Sequence, residues 1–352
     1  PIIGVTGTKG KTTTATLLCE ILKTAGKNPL KAGIGQVSVL DKLKELKSDS
    51  LVVFELSSWR LSALGRCNLS PKIAILTNLY PDHLNYYKTF ELYLRDKKYI
   101  FLNQKPGDLC VVNWDDEILN KLEPEIKSQL IKFSKQKISK GKSVFISEGA
   151  IYLNNGIDEK KVLEVSEVKL KGEHNLWNIL AGIGAAYALG IDLSVIRKTI
   201  LNFKNIPHRL EIVRELDGIK YYNDTAATMP ESAISGINSF EEPVILICGG
   251  ADKNLDMSLL AKTIRKKVKG VIFLKGMATD KIMAEIKKII PTEEKGKDFT
   301  VVETMDKAVE LARVVAEAGD VVLLSPGAAS FGLFANEFDR GNKFREAVNK
   351  LV

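Results

Sequence analysis

Two rhythms of apolar residues alternate along the 352-residue chain. Short, almost wholly apolar runs at 2–5, 51–56, 73–76 and 109–112 are what strands buried on both faces require. Between them apolar positions recur at helical spacing. Leu17, Leu18, Ile21 and Leu22 mark one face of a helix over 12–25, and further helices are predicted near 39–46 and 90–102. From 132 to 168 the rhythm shortens. Runs at 130–133, 143–146, 151–153 and 162–165 predict short antiparallel strands, with Asn155-Gly156 as a hairpin signal, and this region is expected to cap the sheet. Helices follow at 175–189, stopped by Gly190, and at 194–203.

Past Asn205-Ile206-Pro207 the alternation restarts. Apolar runs at 210–213, 219–222, 244–248, 271–274, 299–302 and 321–324 are separated by helical patterns near 230–239, 255–267, 278–290 and 305–318. Strand alternating with helix predicts parallel sheets covered on both faces. The expected fold class is α/β with two doubly wound domains. Residues 1–205 would hold a mostly parallel sheet with a small antiparallel region, and residues 206–352 a Rossmann-like domain. In such sheets ligands gather at the C-terminal ends of the strands, where Val5, Glu55, Asn78 and Asn113 stand in the first domain.

Composition excludes more than it assigns. At 45% hydrophobic and 27% charged the chain has an ordinary globular make-up. No apolar run reaches the ~18–20 residues that span a bilayer, and nothing resembles a signal peptide. The cysteines Cys19, Cys67, Cys110 and Cys248 are scattered without a Cys-x-x-Cys pair, and histidines are few. A zinc site is therefore not expected, and the thiols read as reduced in a cytoplasmic protein. The net charge of +8 raises the possibility of nucleic acid as a partner. Lysines nevertheless mix with acids along the helices, as in Asp41-Lys42-Leu43-Lys44-Glu45, and no segment interleaves basic residues with aromatics. The surface reads as solvated and lysine-rich, suited to collecting anionic nucleotides.

The most specific chemistry lies in Gly4-Val5-Thr6-Gly7-Thr8-Lys9-Gly10-Lys11-Thr12-Thr13, a strand, a glycine loop with lysine, and a helix start. Glycines let backbone N–H groups converge on phosphate oxygens, and the helix N-terminus adds partial positive charge. Lys11 would reach the outer phosphates and Thr12 would set a hydroxyl on a metal ion. Val5 stands where the usual phosphate-loop pattern has glycine, with Gly4 one position earlier. Glu55 ends a neighbouring strand, as a magnesium-binding carboxylate does; it would equally cap the next helix. Asp82-His83 follows another strand end, which gives His83 a ligand-facing position. Asn175 is a natural N-cap, and Asn178 has an amide suited to a polar edge such as adenine. Arg209 and Asp224 stand beside the domain junction, where a nucleotide would be gripped from both sides. Lys253, Ser330 and Phe331 lie at strand ends of the second domain, suited to an anionic substrate. Lys97 and Lys98, taken alone, read as solvated surface.

In this order the motifs resemble the Mur ligase family, which builds the peptide stem of peptidoglycan, and the resemblance covers essentially the whole chain. It is carried by residues 4–13, Glu55-Leu56-Ser57-Ser58, Thr77-Asn78 with Asp82-His83-Leu84, and Tyr93 through Lys97 to Ile100-Phe101. It continues in Gly172-Glu173-His174-Asn175 with Asn178, Pro207-His208-Arg209-Leu210-Glu211, Asn223-Asp224-Thr225, Gly249-Gly250 and Leu324-Ser325-Pro326. The family's offset loop also accounts for the spacing between Gly4 and Gly10. The resemblance implies an ATP-dependent amide ligase that phosphorylates a carboxylate, after which an amine attacks the acyl phosphate and phosphate leaves.

By the same resemblance Lys11, Glu55, His83 and Lys97 form the catalytic set. Gly7, Thr8, Lys9, Gly10, Lys11, Thr12 and Thr13 hold ATP, and two Mg2+ ions are held by Thr12, Glu55, His83 and Lys97. Lys97, chosen over Lys98 for its spacing before Ile100, is expected to be carbamylated. Asn175 and Asn178 would lie near adenine and ribose, with Arg209 and Asp224 closing from the second domain, and Thr228, Lys253, Ser330 and Phe331 would receive the amino acid. Trp59 after the serines, residues 224–228 and Arg340-Gly341 point to the D-glutamate-adding branch, acting on UDP-N-acetylmuramoyl-L-alanine. The implied partners are small molecules, with no nucleic acid and no membrane, for a monomer. Three positions depart from the family pattern. Ala226 stands where lysine is common, which leaves open an L-alanine adder or a polyglutamate- or cyanophycin-like ligase. Gly33 replaces a common asparagine, implying a missing nucleotide or phosphate contact. The sequence opens one strand before the loop, implying a cut after a UDP-sugar-binding domain and leaving open a non-catalytic ATP-binding fragment.

Overall fold

The computed structural model describes residues 1–33, 39–82, 84–170, 172, 174–203, 206–289 and 299–352. The chain forms two compact units, Pro1–Lys204 and Asn205–Val352. In the first, the strands are β1 (Ile2–Thr6), β2 (Asn28–Ala32), β3 (Ser50–Glu55), β4 (Ile73–Leu76), β5 (Leu109–Asn113), β6 (Gln129–Ser134), β7 (Ser143–Ser147), β8 (Ala150–Asn154) and β9 (Glu159–Glu164). They make one sheet in the order β2-β3-β1-β4-β5-β6-β7-β8-β9. Because β1 runs parallel between β3 and β4, Val5 lies level with both Glu55 and Ile75. The ends of all three strands therefore open onto one crevice, the topological switch point where such sheets bind ligands.

The helices of this unit are α1 (Lys11–Thr24), α2 (Ser58–Arg66), α3 (Leu84–Tyr87), α4 (Phe90–Lys98), α5 (Glu117–Asn120), α6 (His174–Ala188) and α7 (Leu193–Asn202). The apolar face of α1 meets α6, where Gly182 leaves room for Leu17, while Gly184 lets α6 lie close on the sheet. A Cβ at Gly184 would stand 3.2 Å from Val111 on the sheet. The opposite face buries Leu56, Leu61, Ala74, Tyr93, Ile100, Phe101 and Cys110 beneath α2 and α4.

Two expectations are corrected here, and one strand is added. Strand β6 is parallel to both of its neighbours, whereas β7-β8-β9 is antiparallel as expected, and the region lengthens the sheet instead of capping it. The chain between β6 and β7 carries back far enough for Ser143 to pair with Lys132; apolar runs alone do not encode strand direction. The helix expected near 39–46 is a 3-10 turn, Asp41–Glu45, with Leu40, Leu43 and Leu46 all exposed. The sequence pattern shows no strand at β2, which contains Pro29. The strand lies at the sheet edge, where a missing N–H is tolerated.

The second unit holds β10 (Glu211–Leu216), β11 (Ile219–Asn223), β12 (Val244–Gly249), β13 (Val268–Leu274), β14 (Val301–Val302) and β15 (Val321–Leu324), ordered β10-β11-β15-β12-β13-β14. The first two form a hairpin through Asp217-Gly218, both at positive φ, and the other pairs are parallel. Helices α8 (Pro230–Ile237), α9 (Ser258–Lys267) and α10 (Met277–Ile289) cover one face. Helices α11 (Met305–Val315) and α12 (Glu337–Lys350) cover the other. Helix α12 escapes the sequence pattern: it is polar, contains Gly341, and buries chiefly Phe344, Ala347 and Val348 with Arg340. All four cysteines are unpaired. Among the described residues no helix is long and apolar enough to cross a membrane.

Candidate active site

The loop between β1 and α1 is held by the end of β4. Asn78 O accepts from Thr8 N at 3.0 Å, and Asn78 Oδ1 accepts from Lys9 N at 2.8 Å. Asn78 Nδ2 and Thr77 Oγ1 both donate to Lys9 O, at 3.1 and 2.6 Å. Gly7 and Gly10 both have positive φ, and each is crowded. A Cβ would come 1.9 Å from Thr77 Oγ1 at Gly7 and 2.2 Å from Asn178 Oδ1 at Gly10. Glycine is thus demanded twice over, by dihedral and by space. Gly10 is the N-cap of α1, yet no side chain caps the helix and no acid stands in its first turn. An α-helix leaves its first N–H groups without intrahelical partners. Here they open beside Lys11 and Thr12, an arrangement made for an anion. Lys11 Nζ donates to Gly7 O and Thr8 O, both at 2.9 Å, arching back over the loop.

Thr12 Oγ1 donates to Glu55 Oε2 at 2.8 Å. A hydroxyl paired with a strand-end carboxylate, beside a lysine, is a hard-oxygen donor set of the kind Mg2+ takes with phosphates. Thr13 is buried in the same turn. Lys97, on α4, is only 2% exposed. Its Nζ donates to Thr6 Oγ1 and Gly7 O, both at 3.0 Å and both neutral, and lies 5.3 Å from the Tyr93 ring centroid. Burial, and then the Lys11 charge, hold its pKa well below the usual lysine value, against smaller opposing pulls from Asp82 and Glu55. Tyr93, whose hydroxyl is 3.1 Å from Thr8 Oγ1, has its pKa pushed up to about 12 by burial. Among the described residues no group of three His, Cys, Asp or Glu side chains is assembled for a metal, and His83 lies outside those residues.

Both asparagines of α6 are buried against the loop. Asn178 Oδ1 accepts from Thr14 at 3.3 Å, and its Nδ2 donates to Asn175 Oδ1 at 2.9 Å. Gly33 has φ 78°, and a Cβ there would stand 2.4 Å from Glu55 O. Here, therefore, the position admits only glycine. The loop thus collects Gly7 through Thr13, Glu55, Lys97, Asn175 and Asn178 in one place. Sequence reasoning missed the clamp by Thr77 and Asn78; their position at a strand end beside the loop was the available signal.

In the second unit three strand-end loops are joined. Gly327 N donates to Ala227 O at 2.8 Å, and Ala251 and Ala329 form a bridge. Arg340 of α12, fully buried, ties them further. Its Nε donates to Thr225 Oγ1 at 2.9 Å, and its two terminal nitrogens donate to Thr225 O at 3.0 Å and Ala328 O at 3.2 Å. Desolvation lowers its pKa to about 10. Sequence reasoning noted Arg340 only as a family marker; a lone arginine in a polar helix gives no sign of burial. Thr228, Lys253, Ser330 and Phe331 all sit on these loops. Lys253 Nζ donates to Thr228 Oγ1 at 3.3 Å, Ser330 is buried and Phe331 is exposed. Asp224 is buried, accepting from Ser325 Oγ at 2.8 Å and Leu210 N at 3.2 Å, while Arg209 is exposed. Burial raises the Asp224 pKa to about 7, opposed by those two hydrogen bonds and the Arg209 charge.

Residues 5–186 match the Mur ligase middle domain, and residues 208–327 match the Mur ligase glutamate ligase domain. Two relatives, from Roseiflexus sp. and Clostridium acetobutylicum, are named UDP-N-acetylmuramoylalanine--D-glutamate ligase. The Roseiflexus protein is 39% identical, over 100% of this chain and 76% of its own length. The Clostridium protein is 40% identical, over 99% of this chain and 74% of its own length. Among solved structures, MurF ligase from Thermotoga maritima in complex with ADP has a TM-score of 0.67 at 21% identity, covering 99% of this chain and 80% of that one. UDP-N-acetylmuramate-alanine ligase MurC from the same organism has a TM-score of 0.68 at 22% identity, covering 99% and 75%. At that identity these two structures speak to the fold. With the middle-domain match over more than half its length and relatives near 40% identical along all of it, the chain belongs to the Mur ligase family of ATP-dependent ligases.

Proposed function

We propose that this protein adds D-glutamate to UDP-N-acetylmuramoyl-L-alanine, at the expense of ATP, as a cytoplasmic monomer making peptidoglycan precursors. The carrying observation is the identity of 39% and 40%, over essentially the whole chain, to relatives named for that reaction. The terminal carboxylate of the acceptor takes the γ-phosphoryl group and ADP leaves. The amine of D-glutamate then attacks the acyl carbon, loses its proton, and phosphate departs. A carboxylate is a poor electrophile at neutral pH, and its approach to a triphosphate sets anion against anion. Charge neutralisation and positioning therefore carry most of the catalysis.

The N–H groups at the start of α1 and the Lys11 ammonium suit the phosphates, with Lys11 exchanging its contacts to Gly7 O and Thr8 O for phosphate oxygens. Thr12 and Glu55 would hold Mg2+, with His83 and a carbamylated Lys97 completing two sites. Mg2+ held there would offset the negative charge of the phosphates. The depressed pKa of Lys97 supports carbamylation, because only the neutral amine adds to carbon dioxide. Carbamylation would also replace a buried cation by an anion where a metal ion needs one. Thr228, Lys253, Ser330 and Phe331 are proposed to receive D-glutamate. Phosphate release by the purified protein, with ATP, UDP-N-acetylmuramoyl-L-alanine and a panel of amino acids, tests the assignment. Turnover is expected with D-glutamate. Turnover with a different amino acid instead would overturn the substrate, and Ala226 is the first position to examine in that case.

A further inference from the structure

We infer that Trp59 and Tyr86 form an aromatic platform that takes the C–H face of the acceptor's sugar ring, an inference that rests on the function proposed above. Trp59 is 48% exposed and Tyr86 63% exposed. Their rings meet edge to face, with centroids 5.9 Å apart at 85°. Two exposed rings in mutual contact on the helices that follow β3 and β4 offer an aromatic face to an apolar surface of a ligand.

The platform is rooted in the phosphate site. Tyr86 contacts Tyr87 at 4.9 Å, and Tyr87 contacts Tyr93 at 5.4 Å. Tyr93 touches Thr8 through its hydroxyl and lies beneath Lys97. A continuous ladder of rings thus descends from the surface to the loop. The backbone below Trp59 is equally fixed. Ser57 caps α2 by accepting from Arg60 N at 3.3 Å, and the Arg60 guanidinium donates to Gly33 O at 2.9 Å and Glu55 O at 3.2 Å. Trp59 is therefore held at a set distance from Glu55. The chain's other two tryptophans are engaged differently, with Lys132 over Trp114 at 3.7 Å and Lys135 over Trp177 at 3.9 Å.

A pyranose presents one face of C–H bonds with partial positive charge, and an aromatic face carries the complementary negative charge. In UDP-N-acetylmuramoyl-L-alanine a lactyl-alanyl arm joins the sugar ring to the reacting carboxylate, whereas the uracil lies beyond two phosphates. With the carboxylate at the loop, the sugar is the ring within reach of Trp59 and Tyr86. The aromatic pair would fix the ring and so aim the arm.

Steady-state kinetics of Trp59→Ala, Tyr86→Ala and Trp59→Phe test this. The KM for the UDP-sugar acceptor is expected to rise at least tenfold in W59A and severalfold in Y86A, while kcat and the KM for ATP stay within twofold. W59F should recover most of the loss. An unchanged acceptor KM in both alanine variants, or an equal rise in the KM for ATP, would overturn the platform. Saturation-transfer NMR of N-acetylmuramoyl-L-alanine on the unmodified chain gives a readout free of turnover. Saturation should concentrate on the sugar-ring protons and vanish in W59A; saturation confined to the alanyl methyl would refute the assignment. The two readings fail separately. Ring saturation without phosphate release from any amino acid defeats the proposed reaction, and turnover with D-glutamate but no ring saturation defeats the platform.

Discussion

Replacing Asp224 by asparagine isolates the cost of one buried carboxyl group. Asp224 is enclosed at the end of β11, with Gly236 of α8 so near that a Cβ there would stand 2.8 Å from Oδ2. Burial raises its pKa from 3.8 to about 7. The folded protein therefore holds this proton more tightly than the unfolded chain does. The favourable contribution is whole below pH 3.8 and is lost as the pH rises through 7. Three pKa units correspond to a ceiling of about 4 kcal/mol at 1.36 kcal/mol per unit. Asparagine keeps the volume and an acceptor for Leu210 N but has no charge to bury, so D224N lacks this dependence. Thermal unfolding of both proteins between pH 4.5 and 8 measures it. The melting temperature of D224N relative to the parent should climb with pH. For a unit of this size 1 kcal/mol is worth roughly 2–4 °C, so the climb is bounded at about 8–16 °C. A difference that stays flat across that range would mean that Asp224 is ionised in the fold throughout, and the burial argument would be wrong.

Two further outcomes follow from the first unit. Lys97→Ala should lower phosphate release by ~10²-fold or more, and added formate or acetate should restore part of it by standing in for the carbamate; near-normal activity in the variant would refute the role. Gly10→Ala forces a side chain into φ 82° and against Asn178 Oδ1, at a cost of about 1–3 kcal/mol. ATP affinity by calorimetry should fall at least tenfold, and G10A/N178A should recover only the steric share; an unchanged affinity would show that the loop does not set the nucleotide's seat.

What could be read from the sequence divides along physical lines. The phosphate loop is legible because its chemistry is local: strand, glycines, lysine and helix start follow one another within residues 2–24. The buried strands are legible because two covered faces demand unbroken apolar runs. Direction is not local, which is why the pattern does not show that β6 runs parallel to both of its neighbours. Helix α12 escapes the pattern because only Phe344, Ala347 and Val348 mark its apolar face, and the buried Arg340 in a polar segment looks solvated. Lys97 illustrates the same limit. Taken alone it reads as surface, and only the family pattern singled it out. Its burial depends on β1 and α4 meeting across 91 positions of sequence. Gly33 shows the reverse case, where a departure from the family pattern has a local steric cause in the carbonyl of Glu55.

The clamp on Lys9 bears on kinetics as well as shape. With both of its backbone polar groups engaged by Thr77 and Asn78, the loop is a mould already set when the nucleotide arrives. Ordering a residue's backbone costs roughly 1–2 kcal/mol, and at Lys9 that ordering belongs to folding and not to binding. If ATP binds at this loop as proposed, its encounter would be limited more by diffusion and the charge of Lys11 than by ordering at Lys9. Thr77 and Asn78 would influence how fast and how tightly ATP binds by keeping the mould in shape before it arrives.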